Sequence, residues 1–175
     1  YSWLLEHKKK VGFVATGQIG ITIAGKGIPL DAFKVDHACG AVEQVVLDQA
    51  DKDILLIEGQ GSLLHPGSTA TLPLMRGSCP THLILCLRAE IKTLRSPEHI
   101  KIPDLNDFIA LNESLASVFG TFPRSRVIGI AANTSMLSDN DAKAYLSKTS
   151  KDTGLVTTDP IRYGIAPIGE EILMS

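Results

Sequence analysis

Four short apolar runs, VGFVATG (11–17), DILLIEG (53–59), THLILCL (81–87) and RVIGIAA (126–132), alternate with stretches of helical periodicity. This alternation is what most narrows the folds open to the chain. A buried strand of a parallel sheet is covered on both faces, so it reads as a continuous apolar run rather than as an in–out alternation. Between the runs, Ala38, Ala41, Val42, Val45 and Val46 recur at three and four residues and predict a helix over 36–50. Asp104 and Asp107 open a helix that carries Phe108, Ile109, Leu111, Leu115 and Val118 and stops at Gly120. Ser138 caps another that runs to about Lys151, with Gly154 behind it. Strand and helix in repeated alternation imply an α/β fold with a mostly parallel sheet and right-handed crossovers. The segments 59–80 and 88–103 are long, rich in Gly and Pro, and expected to be only partly helical. Loops of this kind at the carboxyl ends of parallel strands are where such folds keep their sites.

With 175 residues, 44% of them hydrophobic, residues 1–175 read as one domain with one core. The net charge of −2 gives no electrostatic case for nucleic acid or for an anionic membrane as partner. Cys39, Cys79 and Cys86 are odd in number and lack metal-ligand spacing. They imply reduced thiols and a cytoplasmic setting, with Cys39 and Cys86 expected as buried small hydrophobes. The opening YSWLLEHKKK carries no cap and resembles the last turns of a helix, so the chain is expected to continue a longer polypeptide.

GITIAGKG (20–27) matches seven of the eight positions of the phosphate-binding pattern G-x-x-x-x-G-K-[ST], with Gly27 where a magnesium-binding hydroxyl should stand. A working phosphate loop also needs a helix directly behind it. Here Pro29 follows, and Ile21, Thr22 and Ile23 are bulky where close approach to phosphate needs small residues. The match is therefore read as a decoy within a loop. Elsewhere DILLIEGQG ends an apolar run on Glu58 and then Gly59, Gln60 and Gly61. An acid at a strand end can hold Mg²⁺, and glycines let backbone N–H groups approach a phosphate. The same residues also suit a plain acid beside a flexible turn. Asn133, ending RVIGIAAN, can pair with a nucleotide base edge or simply terminate a strand.

Across VGFVATGQIGI, DAFKVDHACGAVE, DILLIEGQGSLLHP, IPDLNDFIALNE and TGLVTTDPIRYG the chain resembles the carboxyl-terminal P-loop domain of the DgcN-like family. That resemblance implies a P-loop NTPase-like, three-layer α/β/α fold of the dethiobiotin-synthetase-like group. It also implies a phosphate loop upstream of Tyr1, with GITIAGKG as a loop after the second strand. The function implied is N-acetylation of D-glutamate or a similar amino acid, with acetyl-CoA or ATP as cofactor and Glu58 and Asp36 as candidate ligands for Mg²⁺. The implied partners are a small amino-acid or carboxylate substrate and the amino-terminal part of the same polypeptide, with a homo-oligomer as a further candidate. An ATP- and Mg-dependent kinase or ligase of a small carboxylate, or a non-catalytic nucleotide-binding module, stands as the alternative.

On this resemblance Thr16, Gly17 and Gln18 contact substrate or phosphate, as do Gly59, Gln60 and Gly61. Glu58 and His65 are the candidate catalytic groups, because an ammonium must lose a proton before its nitrogen can attack a thioester. Arg88 and Arg95 are candidates to clamp substrate carboxylates. Asp36 is a second candidate ligand for metal or substrate, and Asp159 borders a nucleotide pocket or forms a turn.

Overall fold

A computed structural model describes residues 1–175, which form two compact units, Tyr1–Cys79 and Pro80–Ser175. In the first unit a short helix α1 (Ser2–Glu6) leads into strand β1 (Val11–Val14) and helix α2 (Gln18–Ala24). A 3₁₀ turn (Leu30–Ala32), helix α3 (Val35–Leu47), strand β2 (Ile54–Ile57) and helix α4 (Thr71–Ser78) follow. Strands β1 and β2 pair in parallel from Val11 opposite Ile54 to Val14 opposite Ile57. The core of this unit gathers Leu30, Ala38, Val42 and Leu74, with Ile28, Val46, Ile57 and Ala70 packed against it.

The second unit holds strand β3 (His82–Arg88), helix α5 (Leu105–Ser117), strand β4 (Arg126–Asn133), helix α6 (Asp139–Thr153), strand β5 (Val156–Thr158) and helix α7 (Ala166–Met174). Its sheet has the order β3-β4-β5, and both pairings are parallel. Ile130 on β4 and Ile168 on α7 are fully buried, and Val127, Ala132, Ala142 and Leu146 are buried with them. No helix is long and apolar enough to cross a membrane.

The helix ends follow side-chain chemistry. Asp104 accepts a hydrogen bond from the Asn106 N–H at 2.9 Å, and the Ser138 hydroxyl accepts from the Asp141 N–H at 3.2 Å. Gly154 closes α6 in the left-handed region at φ 71°. Helix α5 ends at Ser117, ahead of Gly120, because Val118 and Phe119 already adopt positive φ.

Several expectations are corrected. GITIAGKG follows the TGQ strand as expected but is not a loop. It follows β1, and its first five residues belong to α2, with Gly25 as the left-handed C-cap at φ 72°. The Gly25-Lys26 pair therefore sits where a helix presents carbonyl oxygens and the negative end of its dipole, the wrong end for a phosphate. Segment 92–102 is not helical. It folds back as a hairpin through Ile102 N–H to Lys92 O and Leu94 N–H to Ile100 O, both at 2.9 Å. Helix α7 was not expected from the sequence; Pro167 sits in its first turn, where proline is tolerated. Cys86 is exposed on β3 rather than buried.

Gly77 marks the closest approach of α4 to α3, since a Cβ there would lie 2.3 Å from the Cys39 carbonyl oxygen and 2.7 Å from the Val42 Cβ. Backbone cannot yield as a side-chain tip can. We expect Gly77→Ala to destabilise the protein by about 1–3 kcal/mol in urea unfolding, despite alanine's higher helix propensity.

Candidate functional site

The candidate site is built on Thr16, two residues past the end of β1 and fully buried. Its N–H donates to Glu58 Oε2 at 2.8 Å, and its hydroxyl donates to the Glu58 carbonyl at 2.9 Å. Its own carbonyl accepts from the Leu30 N–H at 3.1 Å and from Gln60 Nε2 at 3.3 Å. The next residue, Gly17, donates its N–H to the same Glu58 Oε2 at 3.0 Å. One carboxylate oxygen thus receives two backbone N–H groups at the start of α2, where unpaired donors and the helix dipole favour a negative charge.

Two glycines make this contact possible. A Cβ on Gly17 would lie 2.3 Å from Gln60 Nε2, and one on Gly20 would lie 2.1 Å from Glu58 Oε2. TGQIG and EGQ are therefore halves of one joint between β1–α2 and the end of β2.

Beside this joint lies an open cleft of about 270 Å³ lined by Gly17, Gln18, Ile19, Asp31, Glu58 and Gln60. It occupies the carboxyl ends of β1 and β2, the side on which parallel α/β sheets bind ligands. A larger hollow of about 420 Å³, among Arg126, Leu155 and Met174, lies at the amino ends of β4 and β5, and we do not assign it as the site on that ground. Ile19 and Asp31 are the lining residues that sequence reasoning passed over, and Asp31 is the charged one. Its position is set by Leu30, which is 3% exposed, and by Ile28 and Leu30 N–H groups that donate to the Ala15 and Thr16 carbonyls. The apolar pair Ile28 and Leu30 flanking Pro29 was the available signal.

The cleft's charged side chains are Asp31 and Glu58, both acidic. No lysine or arginine lines it, so its own groups do not fit a polyphosphate. Asp36 lies exposed in the first turn of α3 and is not among the lining residues. No cluster of three or more His, Cys, Asp or Glu groups suited to a metal exists in the structure. The structure therefore brings Gly17, Gln18, Glu58 and Gln60 together around Thr16 and leaves Asp36 outside the cleft. Gly59 and Gly61 are exposed in the following loop, where the Thr71 hydroxyl donates to the Gln60 carbonyl at 2.9 Å. His65, also exposed, accepts the Gly67 N–H on Nδ1 at 3.1 Å and does not line the cleft.

The remaining candidates belong to the second unit. Arg88 ends β3 exposed, in register with Asn133 at the end of β4. Asn133 Oδ1 accepts from the Ser135 N–H at 3.0 Å, an Asx turn that ends the strand. Arg95 is exposed within the 92–102 hairpin. Asp159, 3% exposed just past β5, has both oxygens engaged. Oδ2 accepts from the Thr134 N–H at 2.8 Å and the Thr134 hydroxyl at 2.6 Å, and Oδ1 accepts from the Ile161 and Arg162 N–H groups at 2.9 and 3.1 Å. Burial pushes this carboxyl up, but the Thr134, Arg162 and Ile161 hydrogen bonds outweigh it and hold the pKa at about 2, below the usual 3.8. Asp159 thus ties the loop after β4 to the loop after β5.

Two variants test these joints. Gly20→Ala should cost about 1–3 kcal/mol in the wild-type background by dislodging Glu58 from its two N–H donors. In a Glu58→Ala background the same change should become neutral or stabilising by up to about 1 kcal/mol, which a double-mutant cycle in urea reads directly. The Asp159 contribution is present above the ordinary carboxylate value and is lost as pH falls through the folded value. We therefore expect Asp159→Asn to cost about 2 kcal/mol at pH 7, with the difference from wild type shrinking between pH 4 and pH 2 in melts across that range.

Known proteins repeat this arrangement of sequence. A P-loop domain of the family described as a domain of unknown function (DUF1611_C) matches residues 1–169. The chain is 37% identical over 156 residues to a D-glutamate N-acetyltransferase of Tritonibacter scottomollicae, covering 89% of this chain and 46% of that protein. It is 35% identical over 164 residues to a D-glutamate N-acetyltransferase of a Pseudoalteromonas species, covering 93% of this chain and 49% of that protein. A crystal structure of a DUF1611 family protein from Anabaena variabilis superposes with a TM-score of 0.95 at 45% identity, over 99% of this chain and 51% of that one. The chain spans about half the length of the curated relatives it matches. Its three-layer α/β/α class, its parallel strand pairs and the residues matched place it in one family: this chain belongs to the DUF1611 P-loop domain family.

Proposed function

We propose that this chain is the nucleotide- or CoA-binding P-loop-type domain of an N-acetyltransferase acting on D-glutamate or a similar amino acid. The observation that carries this reading is the name shared by two curated relatives, at 37% and 35% identity over 89% and 93% of the chain. In the proposed reaction the substrate's amine nitrogen attacks the thioester carbonyl of acetyl-CoA. A C–N bond forms, the C–S bond breaks, and the thiolate leaves and takes up a proton.

The chain's own residues can serve this reaction in distinct ways. Glu58 Oε2 is committed to the Thr16 and Gly17 N–H groups, so any proton it takes from an amine arrives at Oε1. His65 lies outside the cleft lining and would assist only from the neighbouring loop. Arg88 and Arg95, both exposed cations, suit the carboxylates of the substrate or the phosphates of a cofactor. When bound, acetyl-CoA supplies the activated acyl group. Setting and metabolism follow from the same reading: a cytoplasmic enzyme of D-amino-acid breakdown.

The P-loop description of the matched family supports a second reading, an ATP- and Mg-dependent kinase or ligase of a small carboxylate. Chelation separates the two. The full chain, mixed with acetyl-CoA and D-glutamate, should release free thiol only when D-glutamate is present and should continue to do so in chelator. Absence of thiol release, with ATP consumed only when Mg²⁺ is added, would favour the kinase or ligase. Neither activity, with ligand still bound, would leave a binding module.

A further inference from the structure

We infer that the cleft beside Thr16 is the subsite for the substrate's ammonium group, with Asp31 as its specificity-determining residue. This inference deepens the acetyltransferase reading and rests on it. A primary ammonium carries three N–H donors and no acceptor, so a site for it needs convergent acceptors and no cation. Three acceptors are available in the cleft lining. Glu58 is held by Oε2 on the Thr16 and Gly17 N–H groups, which leaves Oε1 as an acceptor of fixed orientation. Gln60 donates through Nε2 to the Thr16 carbonyl, which leaves its amide oxygen to accept. Asp31 supplies the second carboxylate from the 3₁₀ turn that Leu30 anchors.

Glu58 and Gln60 are thus fixed by bonds to the same residue, Thr16. Asp31 is exposed, makes no side-chain hydrogen bond or ion pair, and follows the Leu30 that is bonded to Thr16. That makes it the group whose loss changes charge without disturbing the joint. The lining also explains selectivity by sign: two carboxylates and no lysine or arginine attract a cation and repel the phosphates of a cofactor. A hydrated Mg²⁺ shares the positive charge and needs only one or two carboxylates, so the Mg²⁺ requirement of the variants below is the readout that separates it from an ammonium.

Asp31→Asn and Asp31→Glu in the full chain, assayed by thiol release with D-glutamate and acetyl-CoA, test the assignment. Asp31→Asn should raise the KM for D-glutamate roughly tenfold or more, leave the KM for acetyl-CoA unchanged, and melt at the wild-type temperature. Asp31→Glu should recover most of that loss. Glutarate, which lacks the amine, should inhibit wild type and Asp31→Asn equally. An unchanged KM for D-glutamate, a raised KM for acetyl-CoA, or a shifted Mg²⁺ requirement in Asp31→Asn would overturn the assignment while leaving the acetyltransferase reading intact. If wild type releases no thiol, the acetyltransferase reading itself fails. The subsite is then judged by calorimetry: D-glutamate binding that Asp31→Asn weakens and glutarate does not share supports it, and no such difference overturns it.

Discussion

A single buried threonine organises the carboxyl end of the first parallel pair. Thr16 spends its N–H and hydroxyl on Glu58 and its carbonyl on Leu30 and Gln60. A buried peptide group left unpaired costs more than an average hydrogen bond gains, so this residue constrains three chain segments at once. The start of α2, the end of β2 and the 3₁₀ turn at Leu30 meet there because each satisfies one of its groups. The cleft is what remains between them.

The second unit uses the same device with different residues. Thr134, one residue past β4, gives its N–H and hydroxyl to Asp159, one residue past β5. In both units a fully buried threonine at a strand end meets an acid at the end of the neighbouring parallel strand. Parallel sheets make this economical, because loops leaving adjacent strands start side by side with unpaired backbone groups. The two acids then differ in what is left over. Asp159 is used up on both oxygens by Thr134, Ile161 and Arg162, whereas Glu58 keeps Oε1 at the wall of a cleft. That contrast separates a structural carboxylate from one available to a ligand.

Strands β1 to β4 were legible in the sequence as unbroken apolar runs, although β2 is only part-buried and β3 alternates part-buried and exposed residues, and α5 and α6 were legible because Asp104 and Ser138 cap them. The joint was legible only in pieces. TGQ and EGQG stood out, but their mutual fit depends on the absence of Cβ atoms at Gly17 and Gly20, and that is a three-dimensional fact. Asp31 was hidden for a related reason. No local pattern marks a loop acid as a site residue, and it reaches the cleft only because Leu30 is pulled into the core beside it. Conversely, Asp36 drew notice as an acid near a helix start, and it lies exposed in the first turn of α3, outside the cleft lining.

GITIAGKG shows how a pattern can mislead about charge as well as position. A phosphate loop works by pointing N–H groups and a lysine at an anion from a helix N-terminus. In this chain the N-terminus of α2 is already occupied by the Glu58 carboxylate, and Gly25-Lys26 falls at the opposite end. An internal carboxylate thus takes the place that a phosphate would otherwise compete for. For a phosphate to enter there, Glu58 would have to leave two N–H donors and one anion would have to approach another. The same bonds leave Glu58 Oε1 unbonded beside the cleft, and that is the acceptor the proposed ammonium subsite uses.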